Sequence, residues 1–173
     1  MKLNIKEATL FAMLGALMYA SKFIMEVLPN IHLVGVLIVA LTLTYRKKAL
    51  YPIYIFILLN GLLAGFSSWW VPYLYVWTVL WAFVMILPQN IPKKIKPVIY
   101  AFVCALHGFL FGTLYAPAQA LLFGLDFKGM VAWIAAGLPY DAIHGVSNFI
   151  CTLVLIIPIT TILKSAEKIA RKQ

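Results

Sequence analysis

Apolar residues fill this chain in long blocks, and polar residues gather in short clusters between them. A block of about 20 apolar residues is what an α-helix needs to cross hydrocarbon, and the pattern predicts six such spans. Span 1 runs from Ala8 to Leu28, where Pro29-Asn30 breaks it; span 2 runs from Ile31 to Tyr45 and stops at Arg46-Lys47-Lys48. No charged residue occurs from Ala49 to Pro92, a stretch long enough for spans 3 and 4 if it bends. The bend is predicted at Phe66-Ser67-Ser68-Trp69-Trp70-Val71-Pro72-Tyr73, since Ser, Pro and paired Trp mark an aqueous interface. Span 4 ends at Pro88-Gln89-Asn90-Ile91-Pro92, with Lys93, Lys94 and Lys96 following. Span 5 covers Pro97 to Phe123, and a polar turn lies over Gly124-Leu125-Asp126-Phe127-Lys128-Gly129. Gly137-Leu138-Pro139 is expected to divide the remainder into a short interfacial helix, Met130 to Ala136, and span 6, Tyr140 to Leu163.

Composition narrows the class without changing this outline. With 64% hydrophobic and 11% charged residues among 173, the chain lies far from the roughly half-apolar make-up of soluble domains. The expectation is an all-α polytopic membrane protein forming one six-helix domain over 1–173, with no room for a separate soluble domain. The first span reads as a retained helix, because Lys22 and Glu26 occupy the place of a signal-peptide cleavage site.

The formal charge of +9 would suggest nucleic acid in a soluble chain. Here the basic residues sit beside spans, where they orient the chain and meet anionic lipid, so no nucleic-acid partner is expected. On alternate sides of six spans, Lys2, Lys6, Arg46, Lys47, Lys48, Lys93, Lys94, Lys96, Lys164, Lys168, Arg171 and Lys172 fall on one side and only Lys22 and Lys128 on the other. The positive-inside rule then puts both termini in the cytoplasm, a multi-pass topology in a cell membrane.

Three features could carry chemistry. Ala8, Ala12, Ala16 and Ala20 recur every fourth residue beside Gly15 and form one smooth ridge on span 1. Such a ridge permits close helix approach in lipid, either to another span of the chain or to a partner. Next, Asp141, His144 and Asn148 share one face of span 6. With Lys164 at the cytoplasmic surface, the rise of about 1.5 Å per residue puts them in the outer third of the membrane. An ionisable group there is a functional candidate, against which stand an Asp141 that caps the first turn of span 6 and a His144 that bonds a neighbouring helix. Finally, Trp69, Trp70, Tyr73, Tyr75, Trp77, Trp133 and Tyr140 crowd the outer side, with Trp81 deeper. Part of this is an interfacial belt, yet it converges with Asn30, His32, Asp141 and His144 on what a flat, partly polar ligand needs. His107, alone in mid-span, reads as a packing residue.

Nothing in the sequence suggests catalysis. There is no HExxH or GxSxG motif, no pair of acids on one face and no Walker motif, and the three histidines are not at metal spacing. Cys104 and Cys151 read as small buried hydrophobes. No catalytic residue, metal site or cofactor is expected.

Six short spans, the Ala-xxx-Ala stripe, basic cytoplasmic loops and the Gly137-Leu138-Pro139-Tyr140-Asp141-Ala142-Ile143-His144-Gly145-Val146-Ser147-Asn148-Phe149 segment together resemble the substrate-binding S-component of an energy-coupling factor (ECF) vitamin transporter. The resemblance covers essentially the whole chain. It implies a prokaryotic uptake protein without a motor of its own, which captures a micronutrient from outside and associates with a transmembrane coupling subunit and two ATPase subunits. It gives Ala8, Ala12, Ala16 and Ala20 the role of docking the coupling subunit. It also implies an outward pocket built from Asn30 and His32, from Trp69, Trp70, Tyr73 and Trp77, and from Trp133, Tyr140, Asp141, His144 and Asn148. The side chains favour a planar nitrogen heterocycle and leave cobalamin open. The rivals from other classes are a self-contained secondary transporter or channel, for which spans 2 to 5 lack a polar stripe, and an intramembrane enzyme, for which only His107 lies at mid-depth.

Overall fold

The computed structural model describes residues 3–88 and 90–171; Lys2 and Lys172 of the basic partition, and Gln89 of the turn before Lys93, lie outside the described residues. Every regular element among them is helical. Helix α1, Ile5–Ile24, starts on a capping box in which Asn4 accepts from the Glu7 backbone N–H and the Glu7 side chain returns the contact. A 3-10 turn, Met25–Val27, carries it to the Pro29-Asn30 break, where Asn30 takes φ 58°, a left-handed conformation that asparagine tolerates better than most residues.

Helix α2, Val34–Tyr45, begins three residues later than the pattern predicts and leaves His32 in the preceding loop. It stops at the basic cluster, where Arg46 turns to φ 53°. A 3-10 turn, Arg46–Ala49, leads into α3, Leu50–Ala64, which Gly65 ends at φ 92°. The predicted interfacial bend follows, and α4 covers Tyr73–Met85.

Two predicted elements come out differently. Span 5 is two helices, α5 Lys96–Phe109 and α6 Phe111–Phe123, joined at Leu110. Backbone bonds from Leu110 N–H to the Leu106 carbonyl (3.0 Å) and from Leu114 N–H to the Leu110 carbonyl (2.8 Å) keep the joint closed. The expected break at Gly137-Leu138-Pro139 is absent: α7 runs unbroken from Phe127 to Arg171. Proline costs its own N–H bond and strains the turn before it. Here Leu138, Pro139 and Tyr140 are exposed, while Asp141, His144, Gly145 and Asn148 on the opposite face are buried and hold the helix in line. At about 1.5 Å per residue, the 45 residues of α7 are about twice as long as the hydrocarbon of a bilayer is thick.

Pairwise contacts set the direction of each rod. Helices α1 and α3 run parallel, with Lys48 Nζ 2.6 Å from Glu7 Oε1, Phe11 stacked on Tyr51 at 5.9 Å, and Gly15 against Pro52 and Ile55. The joined α5 and α6 run antiparallel to α7, pairing Phe102 with Phe149, Gly108 with Gly145, and Gly112 with Asp141. Helix α2 is parallel to α7: Gly35 meets Asn148, and the Tyr45 hydroxyl donates to the Leu163 carbonyl at 3.1 Å. Almost all of α2 is buried, and with α3 and α4 it supplies most of the core.

Two unlike ends result. One gathers Arg46, Lys93, Lys96 and Lys164; the other holds the 28–33 loop, the aromatic bend and the start of α7. Among the described residues, four helical segments are long and apolar enough to cross a membrane, Ile5–Val27, Val34–Ala64, Lys96–Phe123 and Phe127–Ala170, with Tyr73–Met85 apolar but shorter. Ile5 and Leu121 are each 86% exposed, and many other large aliphatic side chains face outward, a surface that lipid covers and water does not favour.

Gly108 marks the tightest α5–α7 crossing, since a Cβ there would lie 2.8 Å from the Gly145 Cα. Gly108→Val is expected to destabilise the protein by about 1–3 kcal/mol through overpacking. A thermal unfolding scan in detergent checks this, and an unchanged midpoint would contradict the crossing.

Candidate functional site

The aromatic end holds two adjoining cavities. The first, about 210 Å³, is bounded by the loop from Met25 to His32 with Lys22, Tyr73, Phe111 and His144. The second, about 370 Å³, lies between Gly112, Tyr115, Trp133, Tyr140 and Asp141. Asn30, Tyr73 and Phe111 line both, so the two form one site with Phe111 at its centre.

Each wall is held by a specific contact. The 28–33 loop is pinned to α7 where Ser147 Oγ donates to the Asn30 carbonyl at 3.2 Å. The aromatic bend is tied to α6, because the Tyr115 hydroxyl donates to the Trp69 carbonyl. Trp69 stands edge-on to Tyr73, and Tyr73 edge-on to Trp77, with centroids 5.4 and 5.6 Å apart. Trp133 stacks on Tyr115 at 5.9 Å and 8° between planes. The Asp141 carboxylate reaches across to α6, where its two oxygens accept from the Gly112 N–H at 3.0 and 3.1 Å. Asp141 therefore serves the N-terminal turn of α6, whose second residue is Gly112, and not the start of its own helix, which lies at Phe127. Gly112 must be a glycine for this approach, because a Cβ would fall 2.4 Å from Asp141 Oδ2.

Beneath the cavities lies a cluster of rings. His32 and His144 meet at 4.8 Å, and Phe111 lies 4.9 Å from His144. Trp77, 1% exposed, touches His32, Phe111 and His107 at 6.0, 5.4 and 5.7 Å. His107 Nε2 lies 3.0 Å from the Val76 carbonyl, a link between α5 and α4. Four ring nitrogens in this cluster, His32 Nδ1, His144 Nε2, Trp77 Nε1 and His107 Nδ1, are buried without a hydrogen-bond partner among the described residues. Buried polar atoms are nearly always satisfied, and orphans grouped in one place call for a chemical reason.

His32 lies outside the helices. Its burial, and secondarily the Lys22 charge, pull its pKa down to about 4, so the ring is neutral at pH 7 and offers one donor and one acceptor. Stability owed to the buried neutral ring is complete above the ordinary value of 6.5 and is lost as pH falls from there towards 4, because only the unfolded chain takes up the proton in that window. A falling melting temperature between those pH values is expected, with a shallower fall in His32→Phe. Identical slopes in the two proteins would place the pH response elsewhere.

Not every candidate reaches the cavities. Asn30, His32, Tyr73, Trp133, Tyr140, Asp141 and His144 line them. Trp77 lines neither cavity but packs against His32, Tyr73 and Phe111, which do, and Trp69 stands edge-on to Tyr73. Trp70 points away, its indole N–H donating to the Ile57 carbonyl at 2.8 Å. Asn148 lies deeper, between Gly35 and Gly108, with Nδ2 3.4 Å from the Cys104 carbonyl. Ala8, Ala12, Ala16 and Ala20 are all exposed, on the flank of α1 beside the face that buries Phe11, Gly15 and Met18. Phe111, Gly112 and Tyr115 were not among the expected residues. Their signal was Gly108-xxx-Gly112, a close-packing face that carries Phe111 into the site, with Tyr115 one turn further along α6.

The described residues contain no group of three or more His, Cys, Asp or Glu side chains placed to hold a metal ion. Compared with protein-family models, curated proteins and solved structures, the chain matches none.

Proposed function

We propose that this chain is the substrate-binding S-component of an ECF-type importer in a prokaryotic plasma membrane. It crosses the bilayer six times, as α1, α2, α3, α4, α5 with α6, and α7, with both termini in the cytoplasm. It captures a vitamin or related micronutrient at its outer end and delivers it through a coupling subunit and two ATPases. The observation that carries this reading is the pair of adjoining aromatic cavities lined by His32 and His144, each with an unpartnered buried ring nitrogen, at the end of the bundle opposite Arg46, Lys93, Lys96 and Lys164. A ligand with donors and acceptors along one edge reaches those two nitrogens, His32 Nδ1 and His144 Nε2, whose rings line the first cavity, and its flat faces lie against Phe111, Tyr73 and Trp133. Cavities of this size suit a molecule of one or two rings, a planar nitrogen heterocycle, better than a corrin.

The outward alanine ridge supports the partner half of the proposal. All four alanines are exposed among the described residues, which leaves the ridge accessible to a second membrane protein. The proposal assigns the chain no catalytic chemistry. Native mass spectrometry of the detergent-purified protein tests the binding half. The expected spectrum shows one small molecule retained by the wild type and lost in a His32→Phe/His144→Phe variant; retention unaffected by that variant would contradict the site.

A further inference from the structure

The basic end of the bundle also carries a pair of joined cavities, of about 300 and 370 Å³, that share Leu43, Lys96 and Tyr100. Arg46 borders one; Lys93 and Lys164 border the other. No acid lines either. The ion pairs of Lys22 with Glu26 and of Lys48 with Glu7 do not take in Lys93, Lys96 or Lys164, and Glu167, one turn beyond Lys164, is not among the lining residues. Helix α5 begins here at Lys96 without a side-chain cap, but the Ile95 and Lys96 N–H groups already donate to the Pro92 carbonyl and Pro97 has no N–H, so the lysines supply the attraction. The remaining wall is apolar: Leu43 and Ile156, the latter 2% exposed, continue onto Ile157, which is 60% exposed on the outer flank.

We propose that these cavities bind the phosphate headgroup of an anionic phospholipid, with an acyl chain leaving over Ile157. Cations converging on cavities that no acid lines select a phosphate; an apolar exit towards the lipid-facing flank selects a lipid over free phosphate or an acidic protein segment. Basic pockets between helices at the cytoplasmic face commonly hold anionic headgroups. Occupied, the site ties the α4–α5 connection to α7 at the level of the headgroups. It rests on the chain being a membrane protein and is independent of what the outer cavities bind.

The test is native mass spectrometry of the chain released from nanodiscs of equal parts phosphatidylglycerol and phosphatidylcholine with identical acyl chains. Preferential retention of phosphatidylglycerol is expected. Lys93→Gln/Lys164→Gln should lower it about thirtyfold, at about fivefold per lysine near the surface. Lys47→Gln/Lys168→Gln, which removes equal charge from the same end outside the cavities, should leave it unchanged. Equal retention of the two lipids would overturn the proposal, and equal loss in both variants would reduce it to a diffuse surface field. Displacement of the lipid by millimolar inorganic phosphate would reassign the site to the free ion. Lost capture of a protein partner by Lys93→Gln/Lys164→Gln without lipid selectivity would make it a protein contact.

Discussion

Ala12→Trp and Ala16→Trp are each expected to reduce uptake by cells to background while leaving ligand binding to the purified chain unchanged. Both residues are exposed on α1, in line with Ala8 and Ala20 and beside the face on which Phe11, Gly15 and Met18 are buried against the rest of the bundle. Since both alanines are exposed, the fold and the cavities at the aromatic end are expected to remain as they are. A partner helix that must approach backbone to backbone is held away by the added rings, and association in lipid depends on that approach. Transport assays in cells beside calorimetry on purified protein separate the two effects. Lost ligand binding, or a lowered melting temperature in either variant, would place the ridge in internal packing.

Asp141→Asn is expected to weaken ligand binding by about 1.5–3 kcal/mol, the range for hydrogen bonds to a charged group, or roughly ten- to a hundredfold. Both carboxylate oxygens already accept from the Gly112 N–H and also face the larger cavity, so the group holds α6 to α7 and offers remaining acceptor capacity to a ligand. Asparagine keeps one oxygen for the Gly112 N–H, and as a partner for a helix N-terminus it is nearly as good as aspartate. The fold should therefore survive the change while the charge is lost. Calorimetry with the molecule retained by the wild type measures the difference. Wild-type affinity in Asp141→Asn would confine the residue to its role at the α6 terminus.

Turn chemistry was legible in the sequence because it is local. Pro29-Asn30, the Arg46-Lys47-Lys48 cluster and the Ser-Trp-Pro bend each end or join helices where the pattern places them, and Asn30 and Arg46 adopt positive φ. Gly137-Leu138-Pro139 carried an equally strong local signal, yet α7 continues through it. Burial of Asp141, His144, Gly145 and Asn148 against neighbouring helices decides that stretch, and no local rule contains it. The joint at Leu110 was hidden for the converse reason: an unbroken apolar run carries no breaker, and the register of α5 and α6 against α7 is set by Gly108, Gly112 and Gly145.

The site was readable to the same depth. Helical spacing brought Asp141 and His144 to one face, and both line the cavities. It could not show that Trp70 turns to the Ile57 carbonyl while its neighbour Trp69 stands edge-on to Tyr73, since adjacent residues in a bend share no periodicity. Nor could it bring Phe111 to the centre, which depends on how close α6 lies to α7 at Gly112.

The most direct test is affinity purification of the tagged chain from its native membrane in mild detergent, with mass spectrometric identification of what accompanies it. A substrate-binding subunit that lacks a motor should bring down one transmembrane coupling subunit and two ATPases in fixed stoichiometry, and Ala12→Trp should lose all three together. Recovery of the chain alone, with substrate accumulation by the chain alone in liposomes, would contradict the account and identify a self-contained transporter.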